Sequence, residues 1–192
     1  MRLRTTLLIL LCSAFFHSAH AAVVPDEPVL GGTMIVATSG NVTATYLGSD
    51  AGYFNSLSLE APRDAARSLF WKGSPVGSTI DLGWFVAGTE LTFRLDVWNT
   101  GNQFFTGAGS VNPDGLPHAL AVTRFDAGLQ LFVTNVGFED LFGGGDRDYN
   151  DFMFRLTNVY DPPAGVPEPG ILALLGLGLA GIGAIRRKKL AA

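Results

Sequence analysis

Through the middle of the chain, apolar and polar side chains alternate in short runs broken by glycine, asparagine and proline. In Leu91-Thr92-Phe93-Arg94-Leu95-Asp96-Val97 every second residue is apolar, the pattern of a strand with one face buried and the other in water. Comparable stretches run over Thr33–Ala37, Val42–Leu47, Tyr53–Leu59, Ala119–Phe125, Leu129–Phe138 and Phe152–Val159. About eight such strands, without the intervening helices that parallel units require, predict an all-β fold: two packed antiparallel sheets in a β-sandwich or jelly roll. Ala61–Leu69 predicts one or two helical turns at most, interrupted early by Pro62. The longest connection, Asn99–Pro117, carries Phe104 and Phe105, and these are expected to pin it to the domain.

The two ends of the chain break this pattern. Arg2 and Arg4 precede an apolar stretch from Leu7 to Phe16, and Ala19-His20-Ala21 follows it. Basic flank, short apolar core and small-x-small site together predict a secretory signal peptide cleaved after Ala21. The apolar run is too short to span a bilayer, which takes roughly 20 helical residues. Cys12 is the single cysteine and follows Leu11, where a lipoprotein signal requires a small residue. Cleavage leaves a mature chain without cysteine, which removes disulfides, thiol catalysis and thiolate metal ligands.

At the other end, Val166-Pro167-Glu168-Pro169-Gly170 leads into an uncharged stretch from Ile171 to Ile185 and then Arg186-Arg187-Lys188-Lys189. As a helix that stretch is roughly 22 Å long, short for a hydrocarbon core of about 30 Å. The basic cluster is expected to stay cytoplasmic and to leave everything upstream outside. Proline-glutamate-proline, hydrophobic helix and terminal basic cluster, in that order, resemble the PEP-CTERM sorting signal. The resemblance implies an exported protein of a Gram-negative bacterium, anchored transiently in the inner membrane and processed by exosortase, a membrane protease-transpeptidase. It also implies delivery to the cell surface or to an extracellular matrix, with exopolysaccharide as a possible partner. The chain thus divides into a signal peptide (1–21), a β-sandwich (22–160), a linker over 161–168 and a sorting signal over 166–192.

Charge narrows the function. Residues 22–168 hold seven basic residues against all seventeen acids, a net charge of −10. Nucleic acid is excluded as a partner, because binding it takes a basic patch that displaces counterions.

The acids concentrate in one place. Gly143-Gly144-Gly145-Asp146-Arg147-Asp148-Tyr149-Asn150-Asp151 follows Glu139 and Asp140, which puts five carboxylates within thirteen residues beside a single arginine. Oxygen ligands at Asp146, Asp148 and Asn150 recur at every second position, as in the first half of a calcium loop. An EF-hand is excluded, since Asp151 stands where that loop needs glycine and Thr157 where it needs glutamate. Instead, strands ending near Phe138 and beginning near Phe152 are expected to pair as a hairpin, bringing Glu139 and Asp140 beside Asp151. Crowded like charges disfavour a compact state, so Ca2+ is the expected cofactor; a solvated acidic hairpin is the alternative. The run from Val136 to Asp151, with Ala87-Gly88-Thr89-Glu90-Leu91 and Asn112-Pro113-Asp114-Gly115-Leu116-Pro117-His118-Ala119 upstream, resembles a bacterial extracytoplasmic domain of unknown function. That resemblance spans Leu69–Tyr160 and implies a β-rich, calcium-binding surface module without an established reaction.

Enzymatic readings find little support. Once the signal is removed, His118 is the one histidine left, too few for a multi-histidine zinc site; a hydrogen-bonded histidine at a strand start is expected. No Gly-x-Ser-x-Gly elbow occurs. Two-carboxylate glycoside hydrolysis would need convergence among Asp81, Glu90, Asp96 and Asp126, which spacing does not reveal. Trp71, Trp84 and Trp98 offer a sugar-stacking platform, although tryptophans in so apolar a domain are expected in the core or an interface. The sequence therefore points to a non-enzymatic, calcium-stabilised surface domain, with a carbohydrate-binding module as the alternative and a glycan hydrolase behind it.

Overall fold

The computed structural model describes residues 27–62 and 65–162. The expected signal peptide, the expected C-terminal helix and the basic cluster lie outside these residues. Twelve strands follow one another: β1 (Val29–Leu30), β2 (Met34–Val36), β3 (Gly40–Gly48), β4 (Asn55–Ala61), β5 (Arg67–Trp71), β6 (Thr79–Phe85), β7 (Glu90–Val97), β8 (Asn102–Phe105), β9 (Ala119–Asp126), β10 (Leu131–Phe138), β11 (Phe152–Thr157) and β12 (Val159–Tyr160). A single 3-10 turn, Gly109–Val111, is the one helical element among the described residues.

The strands form two antiparallel sheets. The first runs β1-β9-β10-β11-β3-β6, the second β12-β2-β7-β4-β5. Strands β2 and β8 both pair with β7, β2 along Glu90–Leu91 and β8 along Arg94–Val97. The expected two-sheet, all-β fold is what the chain adopts.

Alternation decides which residues meet between the sheets. On β7, Leu91, Phe93, Leu95 and Val97 are buried, while Thr92, Arg94 and Asp96 face outward. Val42, Ala44 and Tyr46 of β3 and Phe152, Phe154 and Leu156 of β11 supply the opposing layer. Phe93 meets Phe154 at a ring distance of 5.1 Å, and Tyr46 meets Phe152 at the same distance. Burying each such side chain stabilises the fold by roughly 1.5–3 kcal/mol. The chain changes sheets between β11 and β12 at Asn158, in the left-handed region (φ 60°) that asparagine tolerates better than most residues. Its amide ties the corner down: Oδ1 accepts from Thr38 N–H and Oγ1–H, and Nδ2 donates to Thr38 O.

Several expectations are corrected. Among the described residues of the segment Ala61–Leu69 no helical turn occurs: Ala61 ends β4, and Arg67–Leu69 open strand β5, whose bulge against Leu57 and Ser58 lets Leu69 and Phe70 both turn inward. The Asn99–Pro117 connection contains β8 and the 3-10 turn, and Phe104 is wholly buried there as expected. Trp71, Trp84 and Trp98 are not in the core, being 51%, 63% and 67% exposed. Nor do they share one platform, since Trp84 lies on β6 in the first sheet while Trp71 and Trp98 flank the second.

Candidate metal centre

The acidic run lies where β10 hands over to β11. Phe138 and Phe152 are directly opposed and buried, so the intervening residues fold back on one end of the sandwich. Glu139 extends the pairing by donating its N–H to His118 O, 2.9 Å. Glu139 and Asp140 are thereby drawn inside, 1% and 2% exposed.

Glycine sets how closely the loop approaches. A Cβ at Gly145 would lie 2.0 Å from Glu139 Oε1, and one at Gly137 would lie 2.0 Å from Tyr149 O. Any side chain at either position would push the loop off the carboxylate or off the strand. Arg147 and Tyr149 hold φ of 65° and 54°, costing on the order of 1–2 kcal/mol each. These strained positions alternate with Asp146, Asp148 and Asn150.

The carboxylates gather in two overlapping groups. Oxygens of Glu139, Asp146 and Asp148 lie within 4.8 Å of one another, and so do oxygens of Glu139, Asp140 and Asp151. Glu139 belongs to both. Its Oε2 accepts Arg147 N–H at 3.0 Å, while Oε1 is buried without a partner. Asp151 Oδ2 accepts Asp140 N–H, 2.9 Å. Asn150 donates through Nδ2 to Asp148 Oδ2 at 2.6 Å and through its N–H to Asp148 Oδ1 at 3.2 Å. Burial, with Asp151 and Asp146 beside it, pushes the Glu139 carboxyl up to about 7. Burial also raises Asp140, against the hydrogen bond from Asn55. Among the described residues, no lysine or arginine closes a salt bridge on any of the five carboxylates.

Three supports come from far along the chain and were not singled out as site residues from sequence. Asn55 Nδ2 donates to Asp140 Oδ2 at 2.7 Å, and Asn55 Oδ1 is buried without a partner. Asp114 Oδ2 accepts from Gly143 N–H and from His118 Nε2, both at 2.8 Å. Burial raises Asp114, but the bonds from Gly143, His118 and Leu116 outweigh it and bring the carboxyl to about 2. His118 Nδ1 donates to Glu139 O at 2.8 Å, and the ring stacks on Phe104 at 3.6 Å. His118 is thus the hydrogen-bonded histidine expected before a strand. The Asn112–Ala119 block hinted at these contacts, but nothing local in the sequence shows that it packs against the hairpin.

The donor set is entirely oxygen, partly buried and anionic, which suits a hard divalent cation taking six to eight oxygens. By contrast, the four carboxylates considered for glycoside hydrolysis are dispersed. Asp81 and Asp126 lie on β6 and β9 of the first sheet, Glu90 and Asp96 at opposite ends of β7 in the second.

Fold and site define an antiparallel β-sandwich with an acidic hairpin at one end. Residues 81–158 match the model of a domain of unknown function (DUF4114), and residues 165–188 match the PEP-CTERM protein-sorting motif. The chain therefore carries a DUF4114 domain in its central region and, at its C-terminus, the motif that marks an exported protein for exosortase-dependent surface sorting. The DUF4114 match begins within β6, yet β3 and β4, which lie before it, are interior strands of the two sheets. No curated protein matches the chain. Similar solved structures include a high-affinity mannose-binding lectin of Ralstonia solanacearum, at 16% identity and a TM-score of 0.43. The Chromobacterium violaceum lectin CV2L, in complex with alpha-methyl-fucoside, is similar at 18% identity and a TM-score of 0.44. Each comparison covers 66% of this chain and 94% of the lectin.

Proposed function

We propose that this protein is a calcium-ordered, non-enzymatic module displayed at the cell surface or in the extracellular matrix. In this reading the signal peptide is removed after Ala21, exosortase removes the C-terminal helix, and the sandwich acts outside the cell. Calcium is held by Glu139, Asp140, Asp146, Asp148 and Asp151, with the Asn150 side-chain oxygen available once its amide turns. The observation that carries the reading is Glu139: a buried carboxyl with an unpartnered oxygen, shared by two acidic groups on which no lysine or arginine among the described residues closes a salt bridge. Leaving such a group without a partner costs several kcal/mol, and a divalent ion removes that cost.

Thermal unfolding with chelator and with calcium tests this. Extracellular calcium modules bind at roughly 0.1–1 mM, so calcium at about 100 times the dissociation constant stabilises the fold by about 2.7 kcal/mol. Asp148→Ala removes one ligand and should abolish most of that rise. Glu139→Gln should abolish it entirely and leave the metal-free domain as stable as wild type or more so, because it takes an unpaired charge out of the interior. Magnesium should do much less, since it demands tighter octahedral geometry. Identical melting of wild type and both variants, with chelator and with calcium, would establish the solvated hairpin instead.

A further inference from the structure

We propose that the outward face of β4, β5, β7 and β8 is a saccharide-binding groove for a neutral hexose polymer, with Trp98 as its stacking platform. This face holds a cavity of about 510 Å³ lined by Ser56, Ser58, Arg94, Asp96, Trp98 and Gln103, within the roughly 300–1,000 Å³ of small-molecule sites.

Strand register builds the groove. Trp71 is opposite Ser56, Ser56 opposite Asp96, and Asp96 opposite Gln103, so one row of outward side chains crosses all four strands. A second row runs Ser68, Ser58, Arg94. With neighbouring strands about 4.8 Å apart, the first row extends about 14 Å and the second about 10 Å, longer than a single sugar ring. An ordinary solvated face carries long charged side chains over its whole width. Here three serines keep the floor low, and arginine and tryptophan rise beside it.

The polar groups are held in place before any ligand arrives. Arg94 donates to Glu60 Oε2 at 2.6 Å and through Nε to Asp96 at 3.2 Å, and Gln103 Nε2 donates to Asp96 Oδ1 at 2.7 Å. Trp98 Nε1 donates to Ser56 Oγ at 2.9 Å, which fixes the indole while its ring stays 67% exposed. Arg94 keeps further N–H donors, Gln103 keeps its carbonyl oxygen, and the serines offer both functions. A fixed mixture of donors and acceptors beside an aromatic face suits sugars, whose hydroxyls donate and accept and whose ring hydrogens pack on an indole. One arginine between two carboxylates, on a domain with many more acids than bases, disfavours anionic polymers. The groove is independent of the calcium reading: on β4 the Asn55 side chain points inward to Asp140, while the next residue, Ser56, points outward to Trp98.

The test is titration of the exported protein with neutral oligosaccharides of glucose, mannose and galactose and with oligomers of uronic acids, each with chelator and with millimolar calcium. Saturable binding of at least one neutral oligosaccharide, with altered tryptophan fluorescence, is expected in both buffers. Trp98→Ala should weaken it at least tenfold, and Ser68→Trp, which fills the groove from an exposed position, should do the same; both variants should melt like wild type. The proposal is overturned if no neutral oligosaccharide binds, or if uronic-acid oligomers bind in preference. It is equally overturned if binding requires calcium and survives Trp98→Ala, which would place the sugar at the acidic hairpin. Loss of the calcium-dependent melting shift with retained Trp98-dependent binding removes the metal centre alone.

Discussion

At the hairpin end of the sandwich, four aspartates crowd around one buried glutamate and none of the five closes a salt bridge, whereas on the outer face of β4 and β7 the guanidinium of Arg94 lies between Glu60 and Asp96. Both regions are polar and both rest on the same β4 strand. In the first, the protein has spent glycines, strained φ angles and long-range hydrogen bonds on bringing like charges together, which makes sense when a cation completes the arrangement. In the second the charges already satisfy one another, so what is offered outward is shape and oriented hydrogen-bonding groups. Local charge balance, more than the count of acids, separates a candidate ion site from a candidate ligand face.

Phe104 is the physical link between the strand that edges the groove and the acidic site. It lies on β8 next to Gln103 of the groove, but points inward, wholly buried, and stacks on the histidine that braces Asp114 and Glu139. Phe104→Ala should cost about 3–5 kcal/mol by cavity formation and should also shrink the calcium-dependent rise. Denaturant unfolding with and without calcium measures both. A destabilised variant with an undiminished calcium response would show that the ion site needs no support from that strand.

Asp161 sharpens the contrast from another side, being a buried carboxyl that stands outside both acidic groups. Oδ1 accepts Thr33 N–H at 2.9 Å, Oδ2 is without a partner, and burial pushes the carboxyl up to about 6 against that hydrogen bond. A folded-state value above the unfolded one near 4 means that the native protein binds the proton more tightly. The associated stability is present at low pH and is lost as pH rises from about 4 to about 6. Asp161→Asn should therefore gain on wild type across that window, by on the order of 3 kcal/mol at most, with an unaltered calcium response. Stability measured from pH 3.5 to 7 decides it; parallel curves would show that Asp161 carries no such penalty.

The smallest effect is expected at Trp84, which is exposed on β6 of the other sheet and lines neither region. Trp84→Ala should change stability by about 0.5 kcal/mol or less and leave calcium response and oligosaccharide titration as in wild type. A large loss of sugar binding in this variant would move the platform to the first sheet.

Much of the architecture can be read from alternation alone. Period-two burial is a local property, so β3, β7, β9, β10 and β11 are legible, as is the pairing of β10 with β11 that draws Glu139 and Asp140 beside Asp151. Strands β5, β6 and β8 are not. A bulge turns two consecutive residues of β5 inward, β6 is an edge strand with Leu82 alone buried, and β8 sits inside a glycine-rich connection. The tryptophans mislead for a related reason: alternating phenylalanines and leucines already fill the space between the sheets, which leaves Trp71 and Trp98 at strand ends facing water.

Within the acidic site the same division holds. The cluster Asp146, Asp148, Asn150 and Asp151 is sequence-local and was visible as a spacing. The supports from Asn55, Asp114 and His118 are not, because they lie 85, 29 and 21 residues from their partners. Such contacts exist only once two sheets have closed and brought the β4 start, the β8–β9 connection and the hairpin to one end. By itself the sequence determined the strand pattern, the C-terminal sorting motif and the presence of concentrated negative charge. Tertiary structure alone decided that Glu139 is buried with an unpartnered oxygen and that Ser56, Asp96 and Gln103 form one row. Burial and cross-strand register depend on which distant segments pack together, and local spacing carries no record of that.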